Sequence, residues 1–176
     1  MLLRPIALLL ALAGPAAADC RLAPDFGTRQ TALLTEARSA PDAEAGRAVN
    51  ERLRHLRLSA PDARAQELLD QGIERREVFD LHGARASFDA LVDYCSDYGE
   101  GFHQRAQVFM LLRDPAAALA DFERALEVER LHAAARAGRA LALMDLGRMR
   151  DAQAELRAAL ALNPWLPERS LIVEPR

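Results

Sequence analysis

Gly101-Phe102-His103-Gln104-Arg105-Ala106, followed by Ala118-Leu119-Ala120-Asp121-Phe122-Glu123-Arg124-Ala125-Leu126, decides how this chain folds. Shifted forward by 34 residues, Ala106 falls on Ala140, Ala118 on Ala152, Phe122 on Leu156 and Ala125 on Ala159. Shifted back, the same positions are Gly72, Ala84, Phe88 and Leu91. Each unit therefore reads as two helices joined by a short turn. The first helix carries one small residue. The second carries a small residue, a bulky one four later and an apolar one three after that, all on one helical face. Small residues mark the places where two helix backbones approach closely enough for the bulky ones to interdigitate.

The punctuation keeps the same phase. Asp114-Pro115 is an N-cap followed by the residue best tolerated in a first helical turn. Gly147 stands at the corresponding break in the last unit, where a left-handed residue closes a helix, and Asn163-Pro164 ends the final helix.

Composition agrees with helix throughout. Of 176 residues, 36 are Ala, 29 Leu and 23 Arg, with no Lys, whereas Val, Ile and Thr together number 12. Too few β-branched residues remain to furnish a sheet, and Ala, Leu and Arg lead the helix-propensity scale. A net charge of −3, with Arg and acids interleaved at helical spacings, describes solvated helix faces and excludes a nucleic-acid footprint.

Period and pattern resemble the tetratricopeptide repeat over residues 65–164, in three units, 65–98, 99–132 and 133–164. The aromatic usual early in the first helix is Leu68, Phe102 and then Arg136, and the proline that usually ends a unit survives only as Pro164. The resemblance implies an all-α, right-handed α-solenoid of stacked antiparallel helix pairs, whose first helices line a concave face. Phasing places Leu69, Ile73, Arg76, His103, Gln107, Met110, Ala137, Leu141 and Met144 in that groove. Proteins of this kind bind peptide segments of partner proteins, so the partner expected is a protein or peptide. For each groove methionine, packing at a helix end is an equally good reading. No enzyme activity, cofactor or metal site is expected.

A paired charge recurs inside the units. Arg105 and Asp121 lie 16 apart, as do Arg139 and Glu155, and the matching positions of the first unit are Gln71 and Ser87. The charges appear and disappear together, which predicts a structural bridge between the two helices of a unit. His55, His82, His103 and His132 read as scattered surface or helix-end histidines, at spacings that gather no metal.

Upstream, residues 19–63 read as an extended lead-in and two helices, 28–39 and 42–58, with Asp42 as a cap. Val49, Leu53, Leu56 and Pro61 repeat the spacing of Ala152, Leu156, Ala159 and Pro164, which predicts a degenerate pair stacked on the first clear repeat. At the other end, 165–176 is too short and proline-rich for a full capping helix. Trp165 and Leu166 are expected to fold back as an irregular cap, while 171–173 could equally dock to another chain. That tail carries the alternative function: a homo-oligomer through an uncapped last helix. A non-catalytic accessory role in an envelope enzyme or assembly machine is a further alternative.

Residues 1–18 read as a signal peptide: Arg4, an apolar stretch from Ile6 to Ala13, a Gly14-Pro15 break and Ala16-Ala17-Ala18 before a cleavage point after Ala18. Periplasmic export without an integral membrane segment follows. Asp19 is a poor residue before a lipid-anchored cysteine, which argues against anchoring at Cys20. In an oxidising compartment Cys20 and Cys95 can form one disulfide; the other reading is a buried Cys95 thiol and an exposed Cys20.

Overall fold

The computed structural model describes residues 20–173, and the signal-peptide reading of 1–18 lies outside them. Among the described residues there are eight α-helices, one short 3-10 turn and no strand. Three antiparallel pairs form the repeats: α3 (Ala63–Glu77) with α4 (Leu81–Tyr94), α5 (Gly99–Leu111) with α6 (Pro115–Val128), and α7 (Ala133–Asp145) with α8 (Met149–Leu162). Each pair packs on the next through α4 against α5 and α6 against α7, which makes an α-solenoid. Among the described residues no helix is long and apolar enough to cross a membrane.

The small positions lie at the helix crossings. Ala84, Ala106, Ala118, Ala125, Ala140, Ala152 and Ala159 are all fully buried, and Phe88, Phe122 and Leu156 fill the space between them. Side-chain caps start most helices: Asp62, Asp80 and Asp114 accept from the backbone N–H three residues on, and His132 does the same for Ala135 through its imidazole. The last turns of α3, α5 and α7 close identically. In the first, Phe79 N–H donates to Arg76 O at 3.0 Å and Asp80 N–H to Arg75 O at 2.9 Å, with the same pair of bonds 34 and 68 residues later. This is the Schellman arrangement, and its left-handed residue is Phe79, Arg113 or Gly147.

Two helices precede the repeats, α1 (Phe26–Ser39) and α2 (Ala43–Arg57), with Asp42 capping α2. The expectation that they stack on the first repeat is corrected. The α1–α2 hairpin folds instead over the start of α7 and the end of α8, far along the chain. Its Phe26, Leu33, Leu34, Ala37, Val49, Leu53 and Leu56 form one apolar cluster with Ala133, Ala137, Ala159 and Leu166. The physical reason lies in the side chains opposite. Ala133, Ala137 and Ala159 leave a shallow trough that a leucine-bearing helix can enter, whereas the spacing 4, 3, 5 specifies only which face of α2 is apolar.

Trp165 and Leu166 complete this packing. Leu166 is buried in the hairpin cluster, and the Trp165 ring lies directly on Gly46 of α2, with its Nε1 donating to Ala37 O at 2.9 Å. Residues 167–171 form the short turn, after which the chain runs back along α8. Gln153 Nε2 donates to Leu171 O at 2.9 Å and its Oε1 accepts from Val173 N–H at 2.8 Å.

Candidate functional site

Where α2 crosses the repeats, a cleft of 1060 Å³ remains between α2, the ends of α3, α5 and α7 that face it, and the tail. Of the residues phased to the groove, Arg76, His103 and Gln107 line this cleft. The others do not open onto it. Leu69 is fully buried and Ile73 packs with it in the core of the first unit. Met110 lies against the core of the second unit. Ala137 is sealed under the hairpin, and Leu141 and Met144 are half-buried farther along α7. The nine residues phased to one groove are thus divided, three on the cleft and the rest in the cores or along α7, because the hairpin packs over the start of α7.

At the base of the cleft lies a buried polar network centred on Glu100. Its carboxylate accepts from His103 Nδ1 at 3.2 Å, from His132 Nε2 at 2.9 Å and from Gln104 Nε2, while Arg57 Nε stands 3.3 Å away. Burial would raise its pKa, but the two imidazoles hold it well below the usual carboxylate range. Here part of an expectation is corrected: His132, the cap of α7, and His103, near the start of α5, are helix-end histidines but neither scattered nor at the surface. Both are buried and their rings are 4.6 Å apart, edge to face, whereas His55 and His82 are exposed. The two meet because His103 lies near the start of α5 and His132 caps α7, the next first helix, a juxtaposition that pairwise spacing within one helix does not register.

Glu100, His103 and His132 have their ligand-type atoms within 4.8 Å of one another, the arrangement of a three-ligand metal centre. The hydrogen bonds assign them otherwise. His132 Nδ1 accepts from Ala135 N–H at 3.1 Å, so its Nε2 carries the proton and donates to Glu100. Gln107 Oε1 accepts from Arg76 at 2.6 Å, which turns its Nε2 to donate to His103 Nε2 at 3.0 Å and leaves His103 Nδ1 protonated toward Glu100. Every imidazole lone pair is thus used. In this arrangement both rings hold the Glu100 carboxylate. Burial, with Arg57 and His103 nearby, pushes the His132 pKa down to about 3, in keeping with a neutral ring.

A second buried carboxyl stands beside the first. Glu129, at the end of α6, accepts from Gln30 Nε2 of α1. Burial pushes its pKa up to about 7 against the pull of Arg57, with the Glu100 charge adding to the rise. The hairpin is therefore anchored by polar as well as apolar contacts, including Tyr98 OH to Arg57 O at 2.5 Å and Asn50 Nδ2 to Trp165 O at 2.9 Å.

The internal pairs lie on the far side of the same helices. Arg105 makes two parallel bonds to Asp121, Nε–Oδ2 and Nη2–Oδ1, both 2.7 Å, and a third to Asp89 of α4 at 3.0 Å. Arg139 reaches Glu155 at 2.5 Å and Arg136 reaches the same carboxylate at 3.3 Å. In the first unit Ser87 accepts from Arg75 at 3.1 Å, and Gln71 bonds to Glu67 within its own helix. Cys20 and Cys95 are joined by a disulfide with their Cα atoms 5.4 Å apart, which ties the start of the described chain to the end of α4.

Comparison with known proteins finds the same architecture elsewhere. A family profile described as "Tetratricopeptide repeat" matches residues 133–164. The tetratricopeptide repeat protein 36 homolog of Nematostella vectensis is 35% identical over 74 residues, 42% of this chain and 41% of that protein. The chain thus spans about two fifths of the length of the curated relative it matches. Among solved structures, the TPR2B domain of yeast Sti1, in its pHsp70 complex, superposes with a TM-score of 0.56 at 22% identity, covering 57% of this chain and 81% of that one. The second TPR domain of human RPAP3, in complex with the HSP70 peptide SGPTIEEVD, gives 0.59 at 18% identity, covering 61% and 90%. At such identities the likeness to solved structures is one of fold. Residues 133–164 thus match a tetratricopeptide repeat, and the two units before them share its period and its paired-helix fold.

Proposed function

We propose that this protein is a non-catalytic interaction module that takes a segment of a partner protein into the cleft beneath α2. The cleft itself is the observation that carries the reading: 1060 Å³ walled by the three first helices α3, α5 and α7, by α2 and by the tail. A rigid scaffold offering a concave site with convergent amides and cations suits recognition of an extended or helical segment. The peptide held by the solved RPAP3 domain supports the same use of the scaffold. The imidazoles that could serve as a base are committed to Glu100 and to the start of α7, which favours binding over catalysis. We place the protein in a bacterial periplasm after removal of 1–18; the signal-like N-terminus and the Cys20–Cys95 pair support that address. Assembly through α8 is the weaker alternative, since residues 171–173 lie along that helix.

A photo-crosslinking residue at Gln107, inside the cleft, should capture a partner in cells, and one at Glu123, exposed on α6, should not. Filling the cleft by Ala134→Trp should abolish the capture. Equal capture from both positions, or capture indifferent to the tryptophan, would overturn the reading. N-terminal sequencing of the exported protein should begin at Asp19; retention of residues 1–18 would remove the periplasmic assignment.

A further inference from the structure

The α1–α2 hairpin leaves the first unit and returns to it at one corner. Cys20 is bonded to Cys95 at the end of α4, and residues 58–62 lead from α2 into α3. The two anchorages are neighbours, because α3 and α4 run antiparallel. Tyr94 Oη, one residue before Cys95, donates to Oδ2 of Asp62, the cap of α3, at 3.0 Å. The body of the hairpin lies elsewhere, over the third unit. It is a flap with two feet on the first unit and its apolar face on the third.

The feet are unequal. Residues 58–62 continue the backbone, whereas the foot on the α1 side is the disulfide. Of residues 21–25 only Leu22 is half-buried, between the hairpin cluster and the core of the first unit, and the others are exposed. The seat on the third unit is smooth, since Ala133, Ala137 and Ala159 make up most of its buried part. Its polar fastenings are bonds that water can replace: Asn50 Nδ2 to Trp165 O and Trp165 Nε1 to Ala37 O, both 2.9 Å. A flap held by both feet has few undocked positions to occupy. Held by one it has many, so cutting the bridge lowers its effective concentration at the seat.

We propose that the Cys20–Cys95 bridge is a redox latch on the cleft. Oxidised, it keeps α2 in place as a wall; reduced by a dithiol, it releases the hairpin from the third unit and dismantles the cleft. Cys20 is half-buried and Cys95 fully buried, so Cys20 Sγ is the sulfur open to attack. A thiolate of the dithiol bonds to it, the S–S bond breaks, and Cys95 leaves as a thiolate that takes up a proton. The second thiol of the reductant then displaces Cys20 as a thiol and closes the reductant into its own disulfide, two electrons having passed to the chain. The proposal rests on the cleft being the partner site, but its test needs no partner, so each can fail alone.

Trp165 is the sole tryptophan and its ring lies on Gly46 of α2, so its fluorescence reports docking. His103 lines the cleft and is buried, so its modification by diethyl pyrocarbonate reports opening; exposed His82 is the internal control. Full-length protein is treated with dithiothreitol until both thiols titrate. Acrylamide quenching of Trp165 should then rise about twofold and labelling of His103 about tenfold, with His82 and the helical circular dichroism unchanged. Reoxidation should reverse both. Cys20→Ser, which keeps the buried Cys95 but has no bridge, should match the reduced protein and ignore dithiothreitol. Unchanged quenching and labelling after full reduction would overturn the latch. So would a rise in quenching without labelling of His103, since the flap would then move without opening the cleft. Loss of the helical signal on reduction would also overturn it, the bridge then holding the whole fold, as would a response of Cys20→Ser to the reductant.

Discussion

Phe79, Arg113 and Gly147 stand at one position of three successive repeats, with φ of 62°, 61° and 75°. Only the last is the residue that conformation suits; a side chain there costs roughly 1–2 kcal/mol. Phe79 is 76% exposed, so its ring returns little burial. Phe79→Gly should therefore raise stability by about 1 kcal/mol, read as a higher denaturant midpoint at unchanged slope. The buried titrating groups make a second prediction at this scale. Glu129, raised to about 7, binds a proton in the folded state that the unfolded chain releases near 4.5, so its contribution falls as pH rises between those values. His132, lowered to about 3, refuses a proton that the unfolded chain accepts near 6.5, so its contribution is lost as pH falls through the same range. The two slopes oppose each other between about pH 4.5 and 6.5 and should leave a plateau. Glu129→Gln removes one of them. In that variant thermal stability should climb with pH across the plateau, and a flat profile would contradict the assignment.

At the scale of elements, the N-terminal hairpin is where local pattern and tertiary placement part. Apolar residues at 3.6-residue spacing identify α2, and Asp42 marks its start, from the chain alone. What the hairpin packs against depends on Ala133, Ala137, Ala159 and Trp165, about a hundred residues away, and nothing local to 26–57 encodes them. Gly46 is the pivot, because the Trp165 ring occupies the space a Cβ would need. Gly46→Leu should expel the ring at a cost of about 2–3 kcal/mol. Hydrogen exchange should then quicken in α1 and α2 while α5 and α6 stay protected. Uniform quickening would mean that the hairpin is integral to the repeats and not docked on them. The repeat helices themselves were more readable, since Arg105 and Asp121 are neighbours within one unit and their spacing repeats with the period.

For the whole molecule, the Cys20–Cys95 bridge closes a separation of 75 residues that contains the hairpin and most of the first repeat. Constraining a loop of that length in the unfolded chain contributes about 4 kcal/mol at most. Replacing both cysteines by serine should lower the unfolding midpoint accordingly, with the hairpin the first region to lose protection; an unchanged midpoint would show that the loop is already ordered without it. Helix content, the 34-residue register, the caps and the internal Arg–carboxylate pairs were determined by the sequence itself, because each rests on interactions between residues of one helix or one helix pair. The path of the hairpin, the convergence of His103 and His132 on Glu100, and the shape of the cleft were decided only by the tertiary structure. Those contacts join residues from separate units, and their energy depends on the room that small side chains leave and on which buried donors find an acceptor.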